Sequence, residues 1–368
     1  MTAVPDRTAG ILSVAERNSG TLAGGVVLLA KEPGVTSFSA LASVKHAMGT
    51  SKVGHTGTLD SFASGLLVVC VGPLTRLASR ITEFDKTYEA AVLFGTQTDT
   101  LECTGTPVRT APLPGPEALA AAVAAWTGTV RQRPPEFSAI HINGKRASDL
   151  ARRGAAAEIP ERQVTVHSAD VRRLLLDDAG RVSAAHISFH VSKGTYIRSL
   201  ARDIAASCGS AAHLAGLRRT AVGAFSLADA AGASRLEPFS LERELAAAAE
   251  CSASPVASLP GGGVKRRAPS EAEERLQQEI REKCVCMTPS LAASCDFSAL
   301  YVKPERERLF QNGGKLSASM FRAARGVAAD GFSAVFSEDG RFAGLVRRLP
   351  DGGFRYCFVD ASFVRRPD

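Results

Sequence analysis

The sequence predicts an α/β (α+β) protein in which a mixed, mostly antiparallel sheet is flanked by helices and followed by a small β-rich C-terminal module. Apolar runs of strand length alternate with segments of helical periodicity as far as about residue 250. Between residues 160 and 192, strand-like segments follow each other without an intervening helix. This is typical of adjacent hairpins and not of a doubly wound parallel sheet. Short strands joined by glycine turns fill residues 297–366.

The first predicted elements follow a tail at residues 1–21, which we expect to be mobile. Residues 26–30 are a short apolar run that predicts a strand, and Pro33 and Gly34 predict a turn after it. Thr36 has the side chain of a helix N-cap. The helix that it begins has apolar residues at helical spacing, which are Phe38, Leu41, Val44 and Met48.

Further strands and helices are predicted from apolar runs and from periodicity. Residues 66–71 and 88–94 predict strands, and an alanine-rich helix is expected near residues 117–126. Residues 182–191 alternate between apolar and polar side chains, as a strand with one buried face does. A helix is predicted from about Thr195. Its apolar stripe consists of Ile197, Leu200, Ala201 and Ile204.

Composition divides the chain into three parts after the tail. A globular domain is expected over residues 22–250. A segment rich in Ser, Pro, Ala and Gly then begins near residue 252, so we predict a linker over residues 251–296, within which residues 271–283 form a charged helix. Globular patterning resumes in the C-terminal module, residues 297–368.

The composition favours a cytoplasmic protein without a metal site. Lys and Arg number 44 against 37 Asp and Glu, and the sequence pI of about 9.1 is compatible with a polyanionic partner. The eight cysteines lack a spacing typical of zinc sites, so we expect reduced thiols. The first twenty residues lack the apolar core of a signal peptide, and no run of about 18 apolar residues predicts a membrane span.

The densest group of chemically useful residues lies at residues 52–65. Three glycines there flank one carboxylate, Asp60, and one imidazole, His55, and the loop lies between two predicted strands. Glycines permit the tight turns and close backbone approach that a substrate-facing loop needs. Asp60 could act as a nucleophile, a general base or a metal ligand, or it could cap a turn through its own backbone. These residues alone leave the alternatives open.

This stretch resembles the G-H-x-G-x-L-D-x-x-A-x-G signature of the TruB family of tRNA pseudouridine synthases. Four further segments match the family in the same order along the chain. They are residues 86–89, 95–100, 192–200 and 213–220. The resemblance covers residues 24–235, and it implies the pseudouridine synthase fold for this region and a PUA-like RNA-binding role for the C-terminal module.

The resemblance implies that the protein isomerises the uridine at position 55 in the T loop of tRNA to pseudouridine. The reaction involves neither redox change nor hydrolysis, so no cofactor and no metal are expected. The expected partner is the T-arm of tRNA, and we expect a monomer. Because the target uridine is stacked inside a folded loop, the enzyme must flip it out of the stack.

The resemblance assigns roles to individual residues. It implies three catalytic residues. Asp60 is the nucleophile, Arg198 pairs with it, and Tyr88 stacks on the flipped base and moves a proton at the sugar. His55 matches the residue that inserts beside that base, while Tyr196 forms a wall of the pocket. The remaining substrate-binding residues that it implies are Lys31 on the phosphate side, Gly54, Gly57, Asp99, Lys193, Leu217 and Arg219.

Two departures from the family pattern and two alternative functions stay open. Ser61 stands where the family often has Pro, and Ser64 stands where it usually has Thr. The same motifs also fit a guide-RNA-dependent pseudouridine synthase, or a tRNA-binding folding factor without catalysis. Whether Asp60 attacks the base or the sugar does not follow from the sequence.

Overall fold

The computed structural model describes residues 24–142, 144–153, 159–253, 269–322, 330–360 and 363. The predicted tail at residues 1–21 lies outside these ranges, as do residues 254–268 of the predicted linker. Within the described ranges, no helix is long and apolar enough to cross a membrane.

The first 253 residues contain a large sheet and its flanking helices. In chain order the elements are β1 (Gly25–Lys31), α1 (Ser37–Met48), β2 (Val53–His55), β3 (Ser64–Val71), α2 (Ala78–Ile81), β4 (Lys86–Phe94), β5 (Thr96–Thr98), β6 (Pro107–Thr110), α3 (Pro116–Ala125), β7 (Gly128–Gln132), β8 (His141–Ile142), β9 (Lys145–Arg146), α4 (Ala147–Arg152), β10 (Arg162–Leu176), β11 (Val182–Val191), α5 (Ile197–Ser207), β12 (Ala212–Val222), β13 (Phe225–Ser226) and α6 (Leu241–Ala253).

The central sheet is mixed and mostly antiparallel, as predicted. Its strand order is β1-β3-β12-β4-β11-β10-β7, with β2 paired to β3 and β13 to β12. Only the β3–β12 pairing within it is parallel among the described residues. The antiparallel pairing of β10 with β11 confirms the hairpin expected between residues 160 and 192. The parallel pairing of β3 with β12 places the end of the glycine-rich loop directly beside Arg218 and Arg219.

Helix α1 has the predicted N-cap, and part of its apolar pattern is buried. The Thr36 hydroxyl accepts a hydrogen bond from Ser39 N at 3.1 Å. Leu41 and Val44 are buried, whereas Phe38, which shares their helical spacing, is 73% exposed. Ser37 takes the buried position in the first turn because its hydroxyl bonds with the backbone of a neighbouring loop. The buried face of the helix therefore begins at Ser37 and not at Phe38.

Helix α5 begins two residues later than predicted, at Ile197, with Tyr196 as its N-cap residue. Its predicted apolar stripe is buried and packs against the sheet and against α3. The first turn of this helix therefore lies against the central strands, which places Tyr196 and Arg198 near the glycine-rich loop.

The remaining elements are three helices and the strands of a second sheet. They are α7 (Glu271–Lys283), α8 (Pro289–Ser294), β14 (Ser298–Val302), α9 (Glu307–Gln311), β15 (Phe321–Arg322), β16 (Phe332–Phe336), β17 (Phe342–Arg348) and β18 (Phe354–Val359). The second sheet has the order β15-β14-β16-β17-β18, which confirms the β-rich character of the C-terminal module.

The second sheet packs against the outer side of the first. Leu66 and Val68 of β3 belong to the same buried apolar cluster as Ala334, Phe336 and Leu345 of the C-terminal module. The charged helix α7 has the bounds that the sequence predicted, and it packs on α1 and β1. The C-terminal module and α7 thus support the strands that carry the glycine-rich loop.

Candidate active site

The backbone on either side of Asp60 is held by two buried side chains. The Ser37 hydroxyl donates to Leu59 O at 3.0 Å and accepts from Leu59 N at 2.8 Å. After Asp60, the Lys31 ammonium donates to Ser61 O at 3.3 Å and to Val35 O at 2.6 Å. Because both neighbours of Asp60 are fixed by hydrogen bonds, the carboxylate projects from a rigid segment of the loop.

Arg219 fixes the two ends of the loop. Its guanidinium donates to Leu66 O at 2.8 Å and to Gly57 O at 3.1 Å. Gly65 lies against the backbone of Arg219 with a φ of +112°, and a Cβ there would come within 2.3 Å of Arg219 O. Only glycine fits this close approach of β3 to β12. We predicted Arg219 as a substrate-binding residue, and the structure commits its guanidinium to backbone carbonyls.

Asp60 and Arg198 form a two-point ion pair. Arg198 Nε lies 2.8 Å from Asp60 Oδ2, and Nη2 lies 2.9 Å from Oδ1. The same guanidinium donates to Thr100 O at 2.8 Å and to Phe137 O at 3.0 Å. The Arg198 side chain is 4% exposed and that of Asp60 is 31% exposed. The carboxylate is therefore accessible on one side while its orientation is fixed from the other.

A cavity of about 660 Å³ opens beside this pair. Its size is in the range of small-ligand sites. Tyr88 of β4 and Tyr196 form parts of its wall, and Leu217 of β12 adds apolar surface. The structure brings eight of the predicted site residues to the lining, which are Gly57, Asp60, Tyr88, Lys193, Tyr196, Arg198, Leu217 and Arg219.

Lys31 is not one of the residues that line the cavity. Its side chain is 1% exposed, and its ammonium donates to three backbone carbonyls of nearby loops. Burial lowers the pKa of Lys31 to about 8, although the Asp60 carboxylate opposes this shift. The structure thus places Lys31 as a support of the Asp60 loop and not on a phosphate-facing surface.

His55 and Gly54 lie on β2, outside the cavity lining. His55 Nδ1 is buried and has no hydrogen-bond partner among the described residues. Burial, with a smaller effect of the nearby Arg219 charge, lowers the pKa of His55 below its ordinary value of 6.5. The imidazole is therefore favoured in its neutral form.

Asp99 also lies away from the cavity and shapes a turn. Its Oδ1 accepts hydrogen bonds from Thr100 N and from Thr106 N, each at 2.8 Å. This turn presents Thr100 O to Arg198. Asp99 therefore acts on the ion pair through the backbone.

Two residues that the sequence analysis missed hold Tyr196. The Gln132 side chain accepts from Tyr196 N at 2.9 Å and donates to Tyr196 O at 3.1 Å. The guanidinium carbon of Arg162 lies 4.8 Å from the centre of the Tyr196 ring. Neither residue lies in a segment that matches the family, and no motif in the sequence singled them out.

Glu102 is a third missed residue, just beyond the segment at residues 95–100. One of its carboxylate oxygens lies 4.0 Å from Arg198 Nε, and its side chain is 13% exposed. Burial raises the pKa of Glu102 to about 7, against the opposing effect of the Arg198 charge and with a further increase from Asp60. Arg198 thus pairs with Asp60 and lies near a second carboxyl group, whose pKa is raised.

The arrangement suits covalent catalysis on a flat, uncharged ring. An oriented carboxylate can attack as a nucleophile. Aromatic walls can stack on a planar base. In the described part of the chain, no group of three or more His, Cys, Asp or Glu residues could hold a metal ion.

The chain is similar to known proteins along most of its length. Residues 45–197 match the model of the TruB family pseudouridylate synthase (N terminal domain). The tRNA pseudouridine synthase B of Treponema pallidum (strain Nichols) is 38% identical over 355 residues, which cover 91% of this chain and 96% of that protein. The tRNA pseudouridine synthase B of Treponema denticola is 49% identical over 233 residues. That match covers 60% of this chain and 65% of the relative, slightly less than two thirds.

Solved structures share the fold. A chain of a Cbf5-Nop10-Gar1 complex aligns with a TM-score of 0.57 at 19% identity, covering 91% of this chain and 84% of that chain. A chain of an archaeal box H/ACA sRNP Nop10-Cbf5 complex aligns with a TM-score of 0.53 at 19% identity, covering 93% and 82%. At this identity the likeness concerns the fold alone, and it confirms the predicted fold class.

Proposed function

Because this chain belongs to the TruB family of pseudouridine synthases, we propose that it converts uridine 55 in the T loop of tRNA to pseudouridine, with Asp60 as the nucleophile. The chain is an isomerase of this family, and its relatives are named tRNA pseudouridine synthase B. The observation that carries the proposal is the Asp60 carboxylate, held by Arg198 at 2.8 and 2.9 Å in the wall of a cavity.

The proposed reaction needs a nucleophile and a place to hold the detached base. The bond between ribose C1′ and uracil N1 breaks, the uracil turns, and C5 bonds to C1′. The C5 proton is released and N1 takes up a proton. A carboxylate can form a covalent intermediate with either the sugar or the base, and both routes remain open for Asp60. Reactants and product have the same composition, so this balance requires no external reductant or oxidant.

The flipped uridine would enter the cavity between the two tyrosines. Flipping costs a few kcal/mol, which stacking and hydrogen bonding inside the pocket must offset. We assign Tyr88 to stacking on the base and Tyr196 to the opposite wall. His55, with its unpaired Nδ1, is assigned to the gap that the base leaves in the RNA.

The other site residues support this geometry. We assign Gly57, Arg219 and Lys31 to holding the Asp60 loop, and Gly54 to the strand that carries His55. Leu217 and Lys193 contribute apolar and basic cavity surface.

The remaining assignments concern partners and organisation. We propose residues 22–250 as the catalytic domain, residues 251–296 as a connecting segment, and residues 297–368 as a PUA-like module that contacts RNA. The proposed partner is the T-arm of tRNA. The proposed acting form is a cytoplasmic monomer without a cofactor.

Tritium release from unmodified tRNA transcripts tests the proposal. With uridines labelled at C5, the protein alone should release one tritium per tRNA, and a transcript with cytidine at position 55 should release none. Binding without release would favour the folding-factor alternative. Release that appears only when a guide RNA is added would favour the guide-dependent alternative.

A further inference from the structure

The cavity is lined by six cationic side chains, and a flipped nucleotide would bring a phosphodiester on each side of its ribose. They are Lys86, Arg146, Arg162, Lys193, Arg198 and Arg219. Phosphate contacts supply most of the register and affinity of protein–RNA complexes. A cation that already makes several hydrogen bonds within the protein is less able to bind a phosphate, so the bonds that each one makes decide which of them can do so.

Four of the six are committed within the protein. Arg198 bonds with Asp60 and two carbonyls, and Arg219 bonds with carbonyls of the loop. Lys86 donates to Thr82 O at 2.6 Å and to a second carbonyl, while Lys193 pairs with the Glu83 carboxylate. Turning the three buried groups toward a phosphate would leave carbonyls or a carboxylate unpaired, at a cost in free energy.

Arg162 differs from these four in its unused hydrogen-bonding capacity. Its guanidinium makes one hydrogen bond among the described residues, from Nη2 to Gly194 O. Its Nε is buried and has no partner there. A buried N–H of a cation without an acceptor is uncommon, and a water molecule or an anion at this place would satisfy it. Arg146, the sixth cation, is exposed, so water already solvates its charge.

The position of Arg162 links a phosphate contact to the catalytic helix. Arg162 is the first residue of β10 and pairs across strands with Gln132, which holds the backbone of Tyr196. The Arg162 guanidinium also lies over the Tyr196 ring, two residues before Arg198. An anion bound to Arg162 would therefore act at the beginning of the helix that positions the ion pair.

We propose that Arg162 binds a phosphodiester flanking the flipped nucleotide, and that the same guanidinium holds the Tyr196 ring against the cavity. This inference rests on the proposed function, because a flipped uridine in the cavity is what brings a phosphate to Arg162. The arginine is then a positioning residue for RNA, joined to the Asp60–Arg198 pair through Tyr196.

The test combines a protein variant with a single neutral phosphate in the RNA. The dissociation constant of a T-arm RNA is measured over a range of salt concentrations for the full-chain wild type and for Arg162→Gln. The substitution removes the charge of the guanidinium and keeps a polar amide of similar flexibility. Matched RNAs carry a methylphosphonate on the 5′ or the 3′ side of the target uridine.

A matched control is Arg172→Gln, on the same strand. Arg172 is exposed, lies outside the cavity lining, and its ion pair with Asp170 spans 3.8 Å. It should leave the dissociation constant and its salt dependence unchanged. Circular dichroism and thermal unfolding establish that the variants are folded.

The proposal predicts that Arg162→Gln binds RNA more weakly, and that the effects of this substitution and of one neutral phosphate are not additive. Arg162→Gln should weaken binding about ten- to a hundredfold. It should also lower the slope of log K against log salt by about one. One of the two methylphosphonates should weaken wild-type binding by a similar factor and should weaken Arg162→Gln no further. A role limited to packing on Tyr196 would not change the salt slope.

Two results would overturn the inference. One is a wild-type protein that tolerates both methylphosphonates, a measurement that needs no variant to fold. The other is a folded Arg162→Gln whose binding has an unchanged salt slope. The same conclusion follows if each methylphosphonate weakens RNA binding by Arg162→Gln as much as it weakens binding by the wild type. These outcomes leave the proposed function intact, because that fails only if the wild type forms no pseudouridine on natural RNA.

Discussion

Arg198 and Asp60 lie 138 residues apart in the chain and are joined by two parallel charge-assisted hydrogen bonds of 2.8 and 2.9 Å. Arg198 is the second residue of α5, where the helix dipole disfavours a cation. The carboxylate and two further carbonyl acceptors compensate for this position. The arrangement fixes the orientation of the Asp60 carboxylate relative to the cavity, on which the proposed reaction would depend.

Replacing Arg198 with Lys should separate charge from geometry. Lysine keeps the positive charge but cannot serve both carboxylate oxygens and two carbonyls with one rigid group. We expect the single-turnover rate to fall at least about a hundredfold while the dissociation constant for tRNA changes little. Arg202→Lys, one turn further along α5, should keep nearly the wild-type rate. A rate for Arg198→Lys within about threefold of wild type would contradict the role of the two-point pair.

Glu102 should make stability depend on pH near neutrality. Its pKa is about 7 in the folded protein against an ordinary value of 4.5, because burial disfavours the carboxylate. The folded state therefore binds this proton more tightly, so the contribution of Glu102 to the free energy of unfolding is full below pH 4.5. It is lost as the pH rises through about 7.

The variant Glu102→Gln cannot ionise and should remove this dependence. Between pH 5 and pH 7, the slope of unfolding free energy against pH should change by up to about 1.4 kcal/mol per pH unit, measured by urea unfolding. The exposed Glu250→Gln should leave the slope as in the wild type. Parallel curves for Glu102→Gln and the wild type would show that Glu102 does not titrate in this range.

Lys31→Met distinguishes support of the loop from contact with phosphate. The Lys31 ammonium joins two neighbouring loops, because it donates to Val35 O in one and to Ser61 O in the other. Without the ammonium, the loop that carries Asp60 should be free to move. We expect the rate at saturating tRNA to fall about ten- to a hundredfold with an unchanged salt slope of binding. A salt slope lower by about one, with a normal rate at saturation, would instead place Lys31 on a phosphate.

Gly65→Ala should be strongly destabilising. The added Cβ would lie 2.3 Å from Arg219 O and 2.7 Å from Arg219 N, and the φ of +112° is itself unfavourable for alanine. We expect a loss of about 3 kcal/mol or more in the free energy of unfolding, measured with urea. Gly115→Ala is the control, because no heavy atom lies within 4 Å of its Cβ and its φ is −74°. Equal stability of the two variants would contradict the close strand approach.

The sequence was sufficient for features that depend on local patterning. The alternation along residues 182–191 predicted the bounds of β11, and the charge pattern of residues 271–283 predicted those of α7. Phe38 has the helical spacing of the buried residues and is nevertheless exposed. Ser37 takes the buried place in the first turn, where its hydroxyl bonds with Leu59 across 22 residues of chain. A buried hydrogen bond changed which residue faces the core.

Some residues of the candidate site could be identified from the sequence, and others only from the folded structure. Residues inside the long motifs, such as Asp60 and Tyr88, were found because the resemblance is carried by contiguous letters. Gln132, Arg162 and Glu102 were missed because each acts on a segment that is distant in sequence and near only in the folded chain. Lys31 lies in a matched region, but its burial among carbonyls follows only from the packing of two loops.

The most direct test of Asp60 as the nucleophile is the rate of pseudouridine formation at tRNA position 55 by Asp60→Asn under single-turnover conditions. The account predicts a fall of at least about a thousandfold. The variant should remain folded, with a dissociation constant for tRNA close to that of the wild type. Pseudouridine formation by Asp60→Asn at a rate near that of the wild type would contradict the account.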